Sequence, residues 1–133
     1  MSFVVDASVV LAWAFDEVHP RAVLARDRVR GEEIVVPSVW WFEVRNALVM
    51  GERRGRITER DTADFLRSLS RLPVTIDRVP KVTEMLMLAR RHRLTVYDAA
   101  YLELSIREDL QLATLDRELC AAARGEGILL IGD

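Results

Sequence analysis

The sequence predicts an α/β fold, a central parallel sheet of about five short strands flanked by helices on both faces. Short apolar runs of three or four residues alternate with longer segments of helical period. The runs are continuously apolar rather than alternating, as in strands buried on both faces. Proline, glycine and capping residues stand where one kind of segment gives way to the other. The 133 residues are expected to form one domain, residues 1–133, large enough for a substantial core.

The first strand covers residues 2–6 and runs Phe3-Val4-Val5 into Asp6. A helix follows over 8–15, with Asp6 or Ser8 as its N-cap. Pro20 opens a helix over about 20–30, which Gly31 ends. Ile34-Val35-Val36 is a short strand stopped by Pro37. Ser38 caps a helix that runs to about Met50. Gly51 and Gly55 bracket an arginine-rich turn, and Thr58 with Asp61 forms a capping box for a helix over 58–71. Val74-Thr75-Ile76 is the third strand, and Pro80 begins a helix to about Arg93. Thr95 caps a helix over 96–108. Leu112-Ala113-Thr114 is the fourth strand, Asp116 opens a helix over 116–124, and residues 128–131 make the fifth strand.

Composition narrows the function classes. Half the residues are hydrophobic and 30% are charged, as in an ordinary globular protein. No run is long and apolar enough to cross a bilayer, and no leader pattern opens the chain, so a cytoplasmic protein without a membrane partner is expected. The single cysteine, Cys120, excludes an internal disulfide and a thiol-rich metal site; it sits among alanines as a small core residue. A net charge of −2 argues against nucleic-acid binding by overall field. The cations are nearly all arginine, which suits phosphate contacts and is equally explained by compositional bias.

Four acids stand out. Asp6 and Asp116 fall at the carboxyl ends of predicted strands, the edge where ligands bind in open α/β sheets. Asp98 opens the helix leading into the last of those strands. Glu43 lies one turn into the helix leaving a neighbouring strand, on a face shared with Val39, Trp40, Ala47 and Asn46. Capping explains Asp6, Asp98 and Asp116 one at a time. It explains neither Glu43 nor four acids directed to one edge, although an arginine such as Arg45 could pair with Glu43. Carboxylates gathered there stay ionised together only if a cation joins them. Oxygen donors select a hard cation, Mg²⁺ or Mn²⁺. His19 and His92 fall away from this edge, which disfavours zinc.

The stretches Val4-Val5-Asp6-Ala7-Ser8, Glu43-Val44-Arg45-Asn46-Ala47-Leu48, Leu94-Thr95-Val96-Tyr97-Asp98-Ala99-Ala100-Tyr101 and Leu112-Ala113-Thr114-Leu115-Asp116 resemble the motifs of PIN domains, and most closely those of VapC-type toxins. Gly55-Arg56-Ile57-Thr58 resembles the turn between their third and fourth helices. The resemblance covers essentially the whole chain. It implies a Mg²⁺- or Mn²⁺-dependent endoribonuclease held inactive by a cognate VapB-like antitoxin bound in an apolar groove, and a homodimer; single-stranded RNA is the expected substrate.

On that reading Asp6, Glu43, Asp98 and Asp116 are the catalytic and metal-binding residues. Asp6 and Asp98 are the preferred direct ligands. Glu43 and Asp116 ligate a second ion or orient water, and Glu43 could help deprotonate it. Thr114, Ser8 and Asn46 are candidates to orient the carboxylates, against plain capping or packing roles. The arginines at 53, 54 and 56 and at 90, 91 and 93 are read as solvated helix-end cations. Trp13, Phe15, Trp40, Trp41 and Phe42 supply aromatic surface, mostly for the core, with any exposed part available to a partner. Two other readings remain at this point. One is a PIN domain that binds RNA or protein without catalysis. The other is a receiver-like Mg²⁺-binding phosphoacceptor domain, which expects paired acids after the first strand and a lysine near a late one; here Asp6 stands alone and Lys81 is misplaced.

Overall fold

The computed structural model describes residues 1–78 and 80–133. In chain order the elements are β1 (Ser2–Val5), α1 (Ala7–Ala14), α2 (Pro20–Arg28), β2 (Glu33–Pro37), α3 (Val39–Arg53), α4 (Glu59–Leu69), β3 (Val74–Asp77), α5 (Val82–His92), α6 (Val96–Glu108), β4 (Leu112–Ala113) and α7 (Arg117–Gly125). The sheet has the order β3-β2-β1-β4, and every pairing is parallel. Phe3, Val4 and Val5 of β1 are fully buried, as a continuous apolar run demands. From β1 the chain builds outward through β2 and β3, then crosses to the other side of β1 for β4. The strand order therefore reverses between β1 and β4. The crevice at that reversal is where open α/β sheets hold ligands, and Asp6 and Thr114 are the residues that leave those two strands.

The expected fifth strand reduces to one bridge, Leu130 with Leu112. Leu112 donates to Leu129 (3.0 Å) and accepts from Ile131 (2.9 Å). Gly127 and Gly132 hold φ values of +75° and +84°, so the extended stretch between them is too short for a full strand. The helix expected to end at Met50 continues to Arg53, with Gly51 inside it rather than in a turn. The Phe15 ring lies over that glycine; a Cβ there would stand 2.7 Å from the ring edge. Glycine is thus what lets α1 approach α3. Ser38 precedes α3 but makes no capping hydrogen bond, whereas Thr58 and Asp61 form both halves of a capping box. Cys120 is buried, as expected of a core residue.

One ion-pair network fastens the helix that carries Asp98 to the edge of the sheet. Glu103 of α6 is 3% exposed, and its carboxylate accepts from Arg107 Nε (2.7 Å) and Nη2 (3.0 Å). Arg107 also donates to Asp77 at the end of β3, at 2.6 Å and 3.2 Å. Removing the guanidinium strands a buried carboxylate. Arg107→Met is expected to cost about 3 kcal/mol in urea unfolding; a cost below ~1 kcal/mol, the range of exposed pairs, would show that the network contributes little.

Candidate active site

Asp6 is the last residue before α1 and caps it, accepting from Val9 N–H at 3.3 Å. Its carboxylate is otherwise engaged by two hydroxyls. Ser8 Oγ donates to Oδ1 and Thr114 Oγ1 to Oδ2, each at 2.5 Å. Both hydroxyls also accept from the segment after β4: Leu115 N–H donates to Ser8 (3.0 Å) and Asp116 N–H to Thr114 (3.0 Å). Ser8 and Thr114 therefore do more than cap or pack. They tie the ends of β1 and β4 together around one acid. Asp6 is 4% exposed, and burial pushes its carboxyl up to about 7; the hydrogen bonds from Ser8, Thr114 and Val9 oppose the shift and the Asp98 charge adds to it.

Asp98 sits half-buried in the first turn of α6. Thr95 caps that helix by accepting from Asp98 N–H at 3.1 Å. Burial raises the Asp98 pKa, the charges of Asp116 and Glu118 raise it further, and the Thr95 hydroxyl opposes them. Glu43, in the second turn of α3, is also raised, by burial first and then by the Asp98 charge. Its partner is not an arginine. Arg45 turns away, lying over the Trp41 ring at 3.9 Å and donating to the Trp41 carbonyl. Instead Tyr101 donates its hydroxyl to Glu43 Oε1 at 2.6 Å. Burial and the Glu43 carboxylate push the Tyr101 phenol well above its ordinary range, so it remains a donor. Asp116 caps α7, accepting from Glu118 (2.8 Å) and Leu119 (3.2 Å) through Oδ1.

Asp98 is thus the common electrostatic neighbour. Its charge acts on Asp6 and on Glu43, and Asp116 acts on it. Asn46 is exposed and hydrogen-bonds to none of the four acids; it lines an open groove with Glu43, Arg45, Arg53 and Tyr97. Of the arginine-rich segments, Arg53 reaches this groove, while Arg56 pairs with Glu17 and Arg91 with Glu126. His92 is engaged by Glu126 and His19 caps α2. Among the described residues, no group of three or more acids, histidines or cysteines stands close enough together to hold a metal ion without movement of the side chains. The donors at this crevice are all carboxylates, and two of them are raised chiefly by burial and further by the charge of Asp98, which is the environment a hard cation relieves. Mg²⁺ keeps several waters and binds through one or two carboxylates, so an open arrangement suits it better than a full protein cage. The residue that sequence reasoning overlooked is Tyr101. Its position three after Asp98 was the available signal, since it puts a phenol on the carboxylate's side of one helix.

The PIN domain family matches residues 3–125, nearly the whole chain and all four acids. The chain belongs to the PIN-domain family. This PIN domain is 34% identical over 123 residues to the ribonuclease VapC3 of Pyrobaculum aerophilum, covering 90% of this chain and 92% of the relative. It is 34% identical over 95 residues to the exonuclease VapC9 of the same organism, covering 71% and 70%. The crystal structure of PAE2754 from Pyrobaculum aerophilum superposes with a TM-score of 0.76 at 26% identity, over 98% of this chain and 84% of that one. VapBC2 of Rickettsia felis, solved bound to a DNA fragment from its promoter, gives a TM-score of 0.62 at 14% identity over 98% and 97%, a likeness of fold. The receiver-like alternative does not survive the family match.

Proposed function

We propose that this chain, one PIN domain over residues 1–133, is a Mg²⁺- or Mn²⁺-dependent endoribonuclease of the cytoplasm, the toxin of a toxin–antitoxin pair. The observation that carries the reading is the Asp6 carboxylate, held by Ser8 and Thr114 where β1 and β4 end, with Asp98 of α6 as a charged neighbour. The ribonuclease name of VapC3, a relative matched over nearly its full length, supports the activity.

Asp6 and Asp98 are the residues that would hold the cation, with Glu43 and Asp116 beside them for a second ion or for ordered water. When bound, the cation supplies charge stabilisation at the phosphate and makes water more acidic. Ser8 and Thr114 hold the Asp6 carboxylate in place through both oxygens. Glu43, whose pKa burial raises, takes the proton of the attacking water. The water oxygen bonds to phosphorus, one bridging P–O bond breaks with its electron pair going to the departing oxygen, and that oxygen takes a proton from solvent. Hydrolysis needs a phosphate with free approach to the crevice, which unpaired RNA offers.

Two partners follow. The aromatic residues do not make one surface: Trp40 is core, and Trp13 and Phe42 line different grooves. The groove of Trp13, Val29, Phe65, Leu69 and Leu72, about 300 Å³ and rimmed by Arg26, fits an apolar antitoxin segment carrying an acid. The antitoxin role itself rests on the VapC resemblance and on the VapBC2 likeness. Hydrogen exchange in a complex with the antitoxin should show protection around Trp13 and Phe65; unchanged exchange there would remove this groove from the account. A second copy of the chain would cover the exposed Phe42 and Tyr97. Phe42→Asp should then convert a dimer to a monomer in light scattering, and an unaltered mass would place the dimer contact elsewhere.

The experiment that separates a nuclease from a silent PIN domain is cleavage of unpaired and base-paired RNA with Mg²⁺, Mn²⁺ or chelator. Metal-dependent cuts within unpaired RNA are expected.

A further inference from the structure

We infer that Tyr101 is a positioning residue of the metal site, fixing the Glu43 carboxylate of α3 against the helix that carries Asp98. The inference rests on the metal-dependent reading above. Tyr101 is 1% exposed, yet its hydroxyl reaches Glu43 Oε1 at 2.6 Å. The charge of Asp6 adds to the effect of Glu43 on the same phenol. One buried side chain thus joins the acid of α3 to the helix that supplies Asp98 one turn earlier.

The geometry gives the hydroxyl a role separate from the ring. The ring packs in the core and does not need an oxygen. Glu43, by contrast, has no arginine to hold it, because Arg45 is spent on Trp41. A glutamate has three side-chain torsions to order, and the Tyr101 hydroxyl donates the one side-chain hydrogen bond that Glu43 receives among the described residues. Without it the carboxylate swings freely, and the site loses the preorganisation that sets its affinity for a cation. Partners that orient a metal-binding side chain in this way typically account for about ten- to a hundredfold in affinity.

Tyr101→Phe removes the oxygen and keeps the ring. Titration calorimetry with Mn²⁺ should show affinity about ten- to a hundredfold weaker than wild type, with the chelator melting temperature close to that of wild type. Glu43→Gln should weaken binding as well, and adding Tyr101→Phe to it should weaken it little further, since the phenol acts through Glu43. A second measurement does not depend on the variant folding. The chain has two tyrosines, so ¹³Cζ-tyrosine labelling gives two signals, assigned with Tyr97→Phe. The Tyr101 signal should move during a Mg²⁺ titration with the calorimetric dissociation constant.

Wild-type affinity in Tyr101→Phe, full additivity with Glu43→Gln, or a stationary Tyr101 signal while Mg²⁺ demonstrably binds would each overturn this role and leave the metal site standing. A wild type that binds neither cation would overturn the metal-site reading together with this one.

Discussion

Asp98→Asn is expected to lower RNA cleavage about a thousandfold or more while leaving the protein folded. The substitution keeps the size of the side chain and removes one charge. It does not disturb the helix start, because the cap is formed by Thr95 accepting from the Asp98 backbone N–H. What it removes is the carboxylate that acts on Asp6 and Glu43 and is acted on by Asp116. Cation stabilisation of a transition-state phosphate is a matter of several kcal/mol, and each ~1.4 kcal/mol is tenfold in rate. Losing that charge should also relieve repulsion, so melting in chelator should stay level or rise slightly. Cleavage at the wild-type rate by a folded Asp98→Asn protein would reduce Asp98 to a position in the first turn of a helix.

Asp6→Asn is expected to stabilise the protein in chelator by several kcal/mol above neutral pH. The folded carboxyl lies near 7 against an ordinary 3.8, chiefly because burial disfavours its charge. Between those values the folded state binds a proton that the unfolded chain releases. Stability therefore falls as pH rises from about 4 to about 7, by about 4 kcal/mol for a shift of this size. Asparagine carries no such charge, so its stability should stay flatter across the same window, with a melting temperature higher by on the order of 10 °C at pH 8. Adding Mg²⁺ narrows the gap. A ligand of the folded state alone stabilises by about 2.7 kcal/mol at a hundred times its dissociation constant. Wild type should gain that much, and Asp6→Asn far less. Parallel pH profiles and equal Mg²⁺ responses would show that Asp6 neither titrates near 7 nor holds the cation.

Local signals in the sequence reach a long way here. The continuous apolar run of β1 announces a strand buried on both faces, and the Thr58–Asp61 pair announces the start of α4, because each feature depends on neighbouring residues. Asp6 and Asp116 could be placed at strand ends for the same reason. What escaped is what depends on approach between distant segments. Gly51 reads as a turn residue until Phe15 is seen to occupy the space of its missing Cβ. Arg45 is the natural partner of Glu43 in sequence, but the ring of Trp41 claims it and a phenol 58 residues away takes its place. The last strand looked complete from composition; the left-handed glycines around it cut it to one bridge. The hydroxyls of Ser8 and Thr114 each suggest a simple cap, and their joint hold on Asp6 exists only once β1 and β4 lie side by side.

If these acids work through a divalent cation to cut RNA, removing the cation must stop the cutting. The most direct measurement is cleavage of an unpaired RNA by the purified chain, freed of antitoxin, in chelator and then with Mg²⁺ restored. No cutting is expected in chelator, internal cuts on restoration, and none at either step with Asp98→Asn. Cutting that persists in chelator, or that Asp98→Asn performs as well as wild type, would contradict the metal-site reading.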